Sequence, residues 1–95
     1  MMTSVSVQRS ILRIGERQLH FRHAGSGAPV LLLHQSPRSS SELVPLLQFL
    51  APHCLAIAPD APGFGLSDPL KPSDSAPNID EFCDALLAMI DALRL

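Results

Sequence analysis

The stretch VLLLHQSPRSS, Val30 to Ser40, runs four consecutive apolar residues into a histidine and then into a polar turn containing proline. An apolar run without polar alternation reads as a strand covered on both faces, the pattern of a parallel sheet packed between helices. The break at His34-Gln35-Ser36-Pro37 puts a loop at the carboxyl end of that strand. Open α/β sheets bind their ligands just beyond such ends.

Downstream, SSSELVPLLQFLA (39–51) reads as a helix. Ser39 and Glu42 have capping-box spacing, and Leu43, Leu46, Leu47 and Leu50 form one apolar stripe. Pro45 removes a backbone donor near the start, so a loose first turn is expected, with regular helix from about Glu42. CLAIAPD (54–60) is a second short buried strand that ends at Pro59. APGFGLSDPLKPSDSAP (61–77) is too rich in proline and glycine for an element. NIDEFCDALLAMIDALRL (78–95) is a helix capped by Asn78, with Glu81 completing a capping box. Its expected core face is Ile79, Phe82, Cys83, Leu86, Leu87, Ile90 and Leu93.

Upstream, SVQRSILRIGERQLHFRHAGSG (6–27) alternates on both sides of Gly15-Glu16. Leu12 with Ile14, and Leu19 with Phe21, have the period-2 spacing of two half-buried strands joined by a tight turn. Ile11 breaks the alternation, and Ala24-Gly25-Ser26-Gly27 ends it as a loop. The order is thus a β-hairpin followed by β-α-β-α, an α/β fold with parallel pairing in its later part.

Composition narrows the function. Ninety-five residues make at most one domain, and 46% apolar content is enough for a buried core. The net charge of −2, scattered basic residues and absence of Trp and Tyr argue against nucleic acid as a partner. Cys54 and Cys83 have no metal-ligand spacing and read as free thiols. No apolar run near the start is long enough for a signal peptide or a membrane span, so a cytoplasmic protein without a membrane partner is expected.

The two segments AGSGAPVLLLHQSPRSSSEL (24–43) and AIAPDAPGFGLSD (56–68) together resemble the N-terminal third of an α/β-hydrolase of the epoxide hydrolase, haloalkane dehalogenase and carbon–carbon hydrolase type. That family has AGSG-x-P, an apolar strand, His-Gly-x-Pro, and then Asp-x-x-Gly-x-Gly-x-Ser-Asp. Asp60, Gly63, Gly65, Ser67 and Asp68 complete the second signature. The resemblance implies a partial domain over residues 1–95, lacking the nucleophile-elbow strand and every element after it. It implies cofactor-independent hydrolysis of a small organic molecule by the intact form, and no metal. Ser36 would supply one oxyanion-hole amide, stiffened by Pro37, and His34 would tie neighbouring loops together. Gln35 stands where the family has glycine. If that position needs positive φ, glutamine is strained there; if not, its amide adds a donor to the pocket.

No Gly-x-Ser-x-Gly or Gly-x-Asp elbow occurs in these 95 residues, so the chain alone is expected to be inactive. Ser36 lacks an oriented base, and Ser67 is expected to bond backbone within its own turn. The glycines of PGFGLSD lack the third glycine and the immediate helix of a dinucleotide loop. His20 and His23 should point to opposite faces of a strand, which is poor metal-ligand geometry. Asp60 and Asp68 read as turn-forming carboxylates, Asp60 being close to the expected pocket. A competing expectation is a non-catalytic module that associates with itself or another chain through a bare strand edge.

Overall fold

The computed structural model describes residues 6–34, 38–69 and 79–95. Four strands form one mixed sheet in the order β1-β2-β4-β3, with β1 at Gln8–Ile14, β2 at Arg17–Gly25, β3 at Pro29–Leu31 and β4 at Leu55–Pro59. The hairpin closes where the alternation is interrupted. Ile14 pairs with Arg17 across a two-residue turn, and Gly15 takes the positive φ of 62° that the turn requires. β2 extends two residues further than the alternation suggested, to Gly25, because its end pairs antiparallel with β4 from Ala24↔Ala56 to Gly25↔Leu55. β3 lies parallel to β4, in register from Pro29↔Leu55 to Leu31↔Ile57.

Each face of the sheet carries a helix. α1, Val44–Leu50, follows a single 3-10 turn at Ser40–Leu43, and α2 spans Ile79–Ala92. Ser39 caps the 3-10 turn by accepting the Ser41 amide, so the first turn is tight and the α-helix begins two residues later than Glu42. Pro45 falls in the first turn of α1, where its missing N–H has no helical partner to lose. On this face Leu47 and Ala51 pack against Ala24, Ala56 and Ala58. On the other, Met89 packs against Leu19, Phe21 and Ile57. Alternation along β4 divides its residues between the two cores, which is why a five-residue strand with no charged residue is almost wholly buried.

Three expectations need correction. The apolar run VLLLH is not covered over its whole length: Val30 is 39% exposed and Leu33 is 61% exposed, and β3 is an edge strand. Its greasiness matches a central strand, but among the described residues only β4 pairs with it. The α2 face is also rotated from the expected one. Met89 is its buried centre, whereas Ile79 and Leu87 are 74% and 59% exposed and Cys83 is exposed as well. Similarly, Leu46 lies off the buried stripe of α1. The cap residue Asn78 lies outside the described residues.

Candidate functional site

Asp60 follows the last residue of β4, and its side chain lies on the α1 side of the sheet, continuing the alternation of Ala56 and Ala58. It is 2% exposed and accepts hydrogen bonds from three residues, Ser40, Leu66 and His20. Oδ1 takes the Ser40 amide at 2.7 Å, while Oδ2 takes the Leu66 amide at 3.0 Å and lies 2.8 Å from His20 Nδ1. One carboxylate therefore joins β2, the segment leading into α1 and the glycine-rich loop after β4. Burial works to raise its pKa. The Leu66 amide, the hydroxyl and amide of Ser40 and the His20 ring outweigh it, bringing the group from 3.8 down to about 2.

Around this carboxylate the loop closes on itself and on β2. Ser67 does more than serve its own turn: its hydroxyl donates to the Asp60 carbonyl at 2.8 Å and accepts the His20 amide at 2.9 Å. Asp68 accepts the Gln18 amide through Oδ2 at 2.8 Å, and its backbone N–H donates to the Gln18 carbonyl at 2.9 Å. Gly63 donates its amide to the Asp68 carbonyl at 3.0 Å. Gly65 has a φ of 53°, and a Cβ there would fall on the Asp60 carboxylate itself. Space and backbone conformation thus both call for glycine.

His34 ends the β3 segment. Its Nε2 accepts the Ala61 amide at 2.9 Å, and its ring stands edge-on to Phe64 at 5.8 Å. Phe64 in turn faces Phe82 of α2 at 6.4 Å. Between these groups and α2 lies a cavity of about 330 Å³ at the carboxyl ends of β3 and β4. Its walls are mainly apolar, including Leu19, Leu33, Phe64, Phe82, Leu86 and Met89, and His34 and Asp60 also line it. This is the size and character of a small-molecule pocket. Gln35, Ser36 and Pro37 lie outside the described residues.

Sequence reasoning missed His20, Ser40 and Arg9 as members of the polar cluster. His20 is 2% exposed and Ser40 fully buried. Arg9 Nε donates to His20 Nε2 at 3.2 Å, and Arg22 Nη1 donates to Ser40 Oγ at 2.7 Å. The available signal was a histidine in strand alternation with Arg22 and Ala24, on the same face as Asp60. His23 does point to the opposite face, where its Nε2 lies 2.9 Å from Ser10 Oγ.

No protein-family model matches the chain. It is 36% identical over 77 residues to an uncharacterized hydrolase of Saccharomyces cerevisiae, covering 79% of this chain and 26% of that protein. Over 78 residues it is 33% identical to haloalkane dehalogenase 2 of Mycobacterium tuberculosis, covering 82% of this chain and 27% of the relative. The structure of the epoxide hydrolase CorEH superposes with a TM-score of 0.82 at 26% identity, covering 93% of this chain and 30% of that one. The chain thus spans little more than a quarter of the length of these curated relatives. Strand order, loop placement and these likenesses agree: the chain has the N-terminal part of the α/β-hydrolase fold.

Proposed function

We propose that this chain forms one side of the active site of a hydrolase acting on a small, largely apolar organic molecule, with the nucleophile provided by polypeptide beyond these 95 residues. The observation that carries the reading is the apolar cavity at the carboxyl ends of β3 and β4. His34 and residues of the glycine-rich loop line it, His34 accepting the Ala61 amide and Asp60 the Leu66 amide. The substrate binds there, and attack gives a covalent or tetrahedral intermediate whose developing oxyanion takes the Ser36 amide. A fixed amide in that role is worth about 3 kcal/mol of barrier. The general base that activates water for release of the intermediate, and the acid partner of that base, are supplied with the nucleophile by the same further polypeptide.

The test is made in the polypeptide completed by a nucleophile elbow, with epoxides, haloalkanes and simple esters as substrates. Ser36→Ala should keep kcat near the starting value, since the backbone donor stays. Ser36→Pro removes the donor and should lower kcat about 100-fold. Equal activity of the two variants would end the oxyanion assignment, and turnover by the 95-residue chain alone would end the proposal that the nucleophile lies elsewhere.

A second reading, a non-catalytic module that pairs with another chain, is favoured by one observation: the exposure of Val30 and Leu33 beside the edge of β3 that has no partner among the described residues.

A further inference from the structure

We propose that Arg9, on the outermost strand of the sheet, is a positioning residue for the loop after β4, acting through the tautomer of His20. Among the described residues Arg9 has no hydrogen bond to Asp60 or to the loop after β4, and it donates to His20. The register makes this possible. Arg9 pairs with Arg22 and Ile11 with His20, so Arg9 is the diagonal neighbour of His20 on the α1 side of the sheet.

The His20 ring lies between two groups whose hydrogen-bonding roles are fixed. A guanidinium has N–H donors and no acceptor, so Nε2, 3.2 Å from Arg9 Nε, must be bare. An ionised carboxylate only accepts, so Nδ1, 2.8 Å from Asp60 Oδ2, must carry the proton. The neutral Nδ1–H tautomer alone satisfies both. An Nε2–H tautomer would set two donors against each other at Arg9 and two lone pairs against each other at Asp60. A doubly protonated ring would still meet Arg9 donor to donor, with like charges. The polarity therefore runs one way, from Arg9 through His20 to Asp60 and on to the amides of Ser40 and Leu66.

This direction explains how a buried anion is held without a cation against it. Among the described residues no Lys or Arg is salt-bridged to Asp60, and its one ion-pairing partner is the His20 ring. With the ring neutral, the Arg9 guanidinium is the cation at the far end of the His20 path, polarising the imidazole towards the carboxylate, as Arg22 is at the far end of the Ser40 hydroxyl path. Losing Arg9 should therefore loosen the two loop amides on Asp60, although Arg9 contacts neither. The proposal concerns the chain's own loops and does not depend on the reaction.

The test uses the 95-residue chain. Long-range nitrogen–proton correlation of the histidine rings at neutral pH should show His20 protonated at Nδ1 and bare at Nε2. An Nε2–H or doubly protonated ring would overturn the proposal, and so would a chain too poorly ordered for His20 to be resolved. Amide hydrogen exchange then tests the action at a distance. Arg9→Met should speed exchange at Ser40 and Leu66 roughly tenfold, the loss expected when one hydrogen bond in a chain is weakened. Arg9→Lys, which keeps a donor and a charge, should recover most of the protection. The Leu32 amide, bonded to the Ile57 carbonyl at 2.8 Å, serves as the reference and should not change. No change at Ser40 and Leu66, or an equal acceleration at Leu32, would show that Arg9 has no such role.

Discussion

At the scale of single residues, Asp60 links stability to pH in a direction its pKa fixes. Its carboxyl titrates at about 2 in the folded chain against 3.8 without the fold. The ionised form is thus favoured by folding, and the contribution is present at all pH values above about 4 and lost as pH falls towards 2. The difference corresponds to about 2 kcal/mol. Urea unfolding at pH 7 and at pH 2.5 should show that loss in the native sequence. Asp60→Asn should be destabilised by about 2–4 kcal/mol at pH 7, because its amide opposes donors from His20 and Leu66. It should also lose less stability on acidification; an equal loss in both proteins would remove Asp60 from the account. Gly65→Ala strains the same contact from the other side, through a positive φ and a methyl group placed on the carboxylate. It should cost more than about 2 kcal/mol, read by the same titration. Asp60, Gly65 and Ser67 were legible because their signature is local and has fixed spacing. Arg9 and His20 were not: their importance depends on a cross-strand diagonal and on a carboxylate 40 residues away, and neither has a local signal.

Secondary-structure elements show the same division between what is local and what is not. β4 was legible because five consecutive small or apolar residues between turn signals can only be a short buried strand or a buried helix segment, and the length decides for the strand. The hairpin was legible from Gly15-Glu16 and from alternation on each side. α2 was legible as a helix, and its inner face in part: Phe82, Leu86 and Leu93 were expected there, Met89 was not. Two apolar stripes run along it, Ile79-Cys83-Leu87 and Phe82-Leu86-Met89-Leu93, displaced from each other by less than a turn. Periodicity accepts both, and the sheet selects the second by receiving Met89 among Leu19, Phe21 and Ile57. Two substitutions distinguish the stripes. Met89→Ala, at a residue 1% exposed, should cost about 2–5 kcal/mol. Leu87→Ala, at a residue 59% exposed, should change stability by no more than about 0.5 kcal/mol. Comparable losses at both positions would place α2 in a different rotation.

On the scale of the whole molecule, the two edges of the sheet differ in kind. β1 at one edge has Arg9 and Arg13 among its seven residues, and charge on an edge strand discourages pairing with another chain. β3 at the other edge is Pro-Val-Leu, with no charge, and continues into Leu32 and the exposed Leu33. Pro29 withholds one backbone donor, but nothing else in the strand opposes pairing. The apolarity of β3 suits a strand with neighbours on both sides, and among the described residues it has one, the bare edge expected when the adjoining strand is missing. The 95-residue chain is therefore expected to self-associate through β3, with a weight-average mass that rises with concentration in sedimentation equilibrium. Val30→Lys puts a charge on the strand without touching the buried cores, and it should shift the population towards monomer while leaving the urea midpoint of the monomer nearly unchanged. If the native chain stays monomeric up to the concentrations used for structural work, or if Val30→Lys associates as the native chain does, the β3 edge is not the surface through which it pairs.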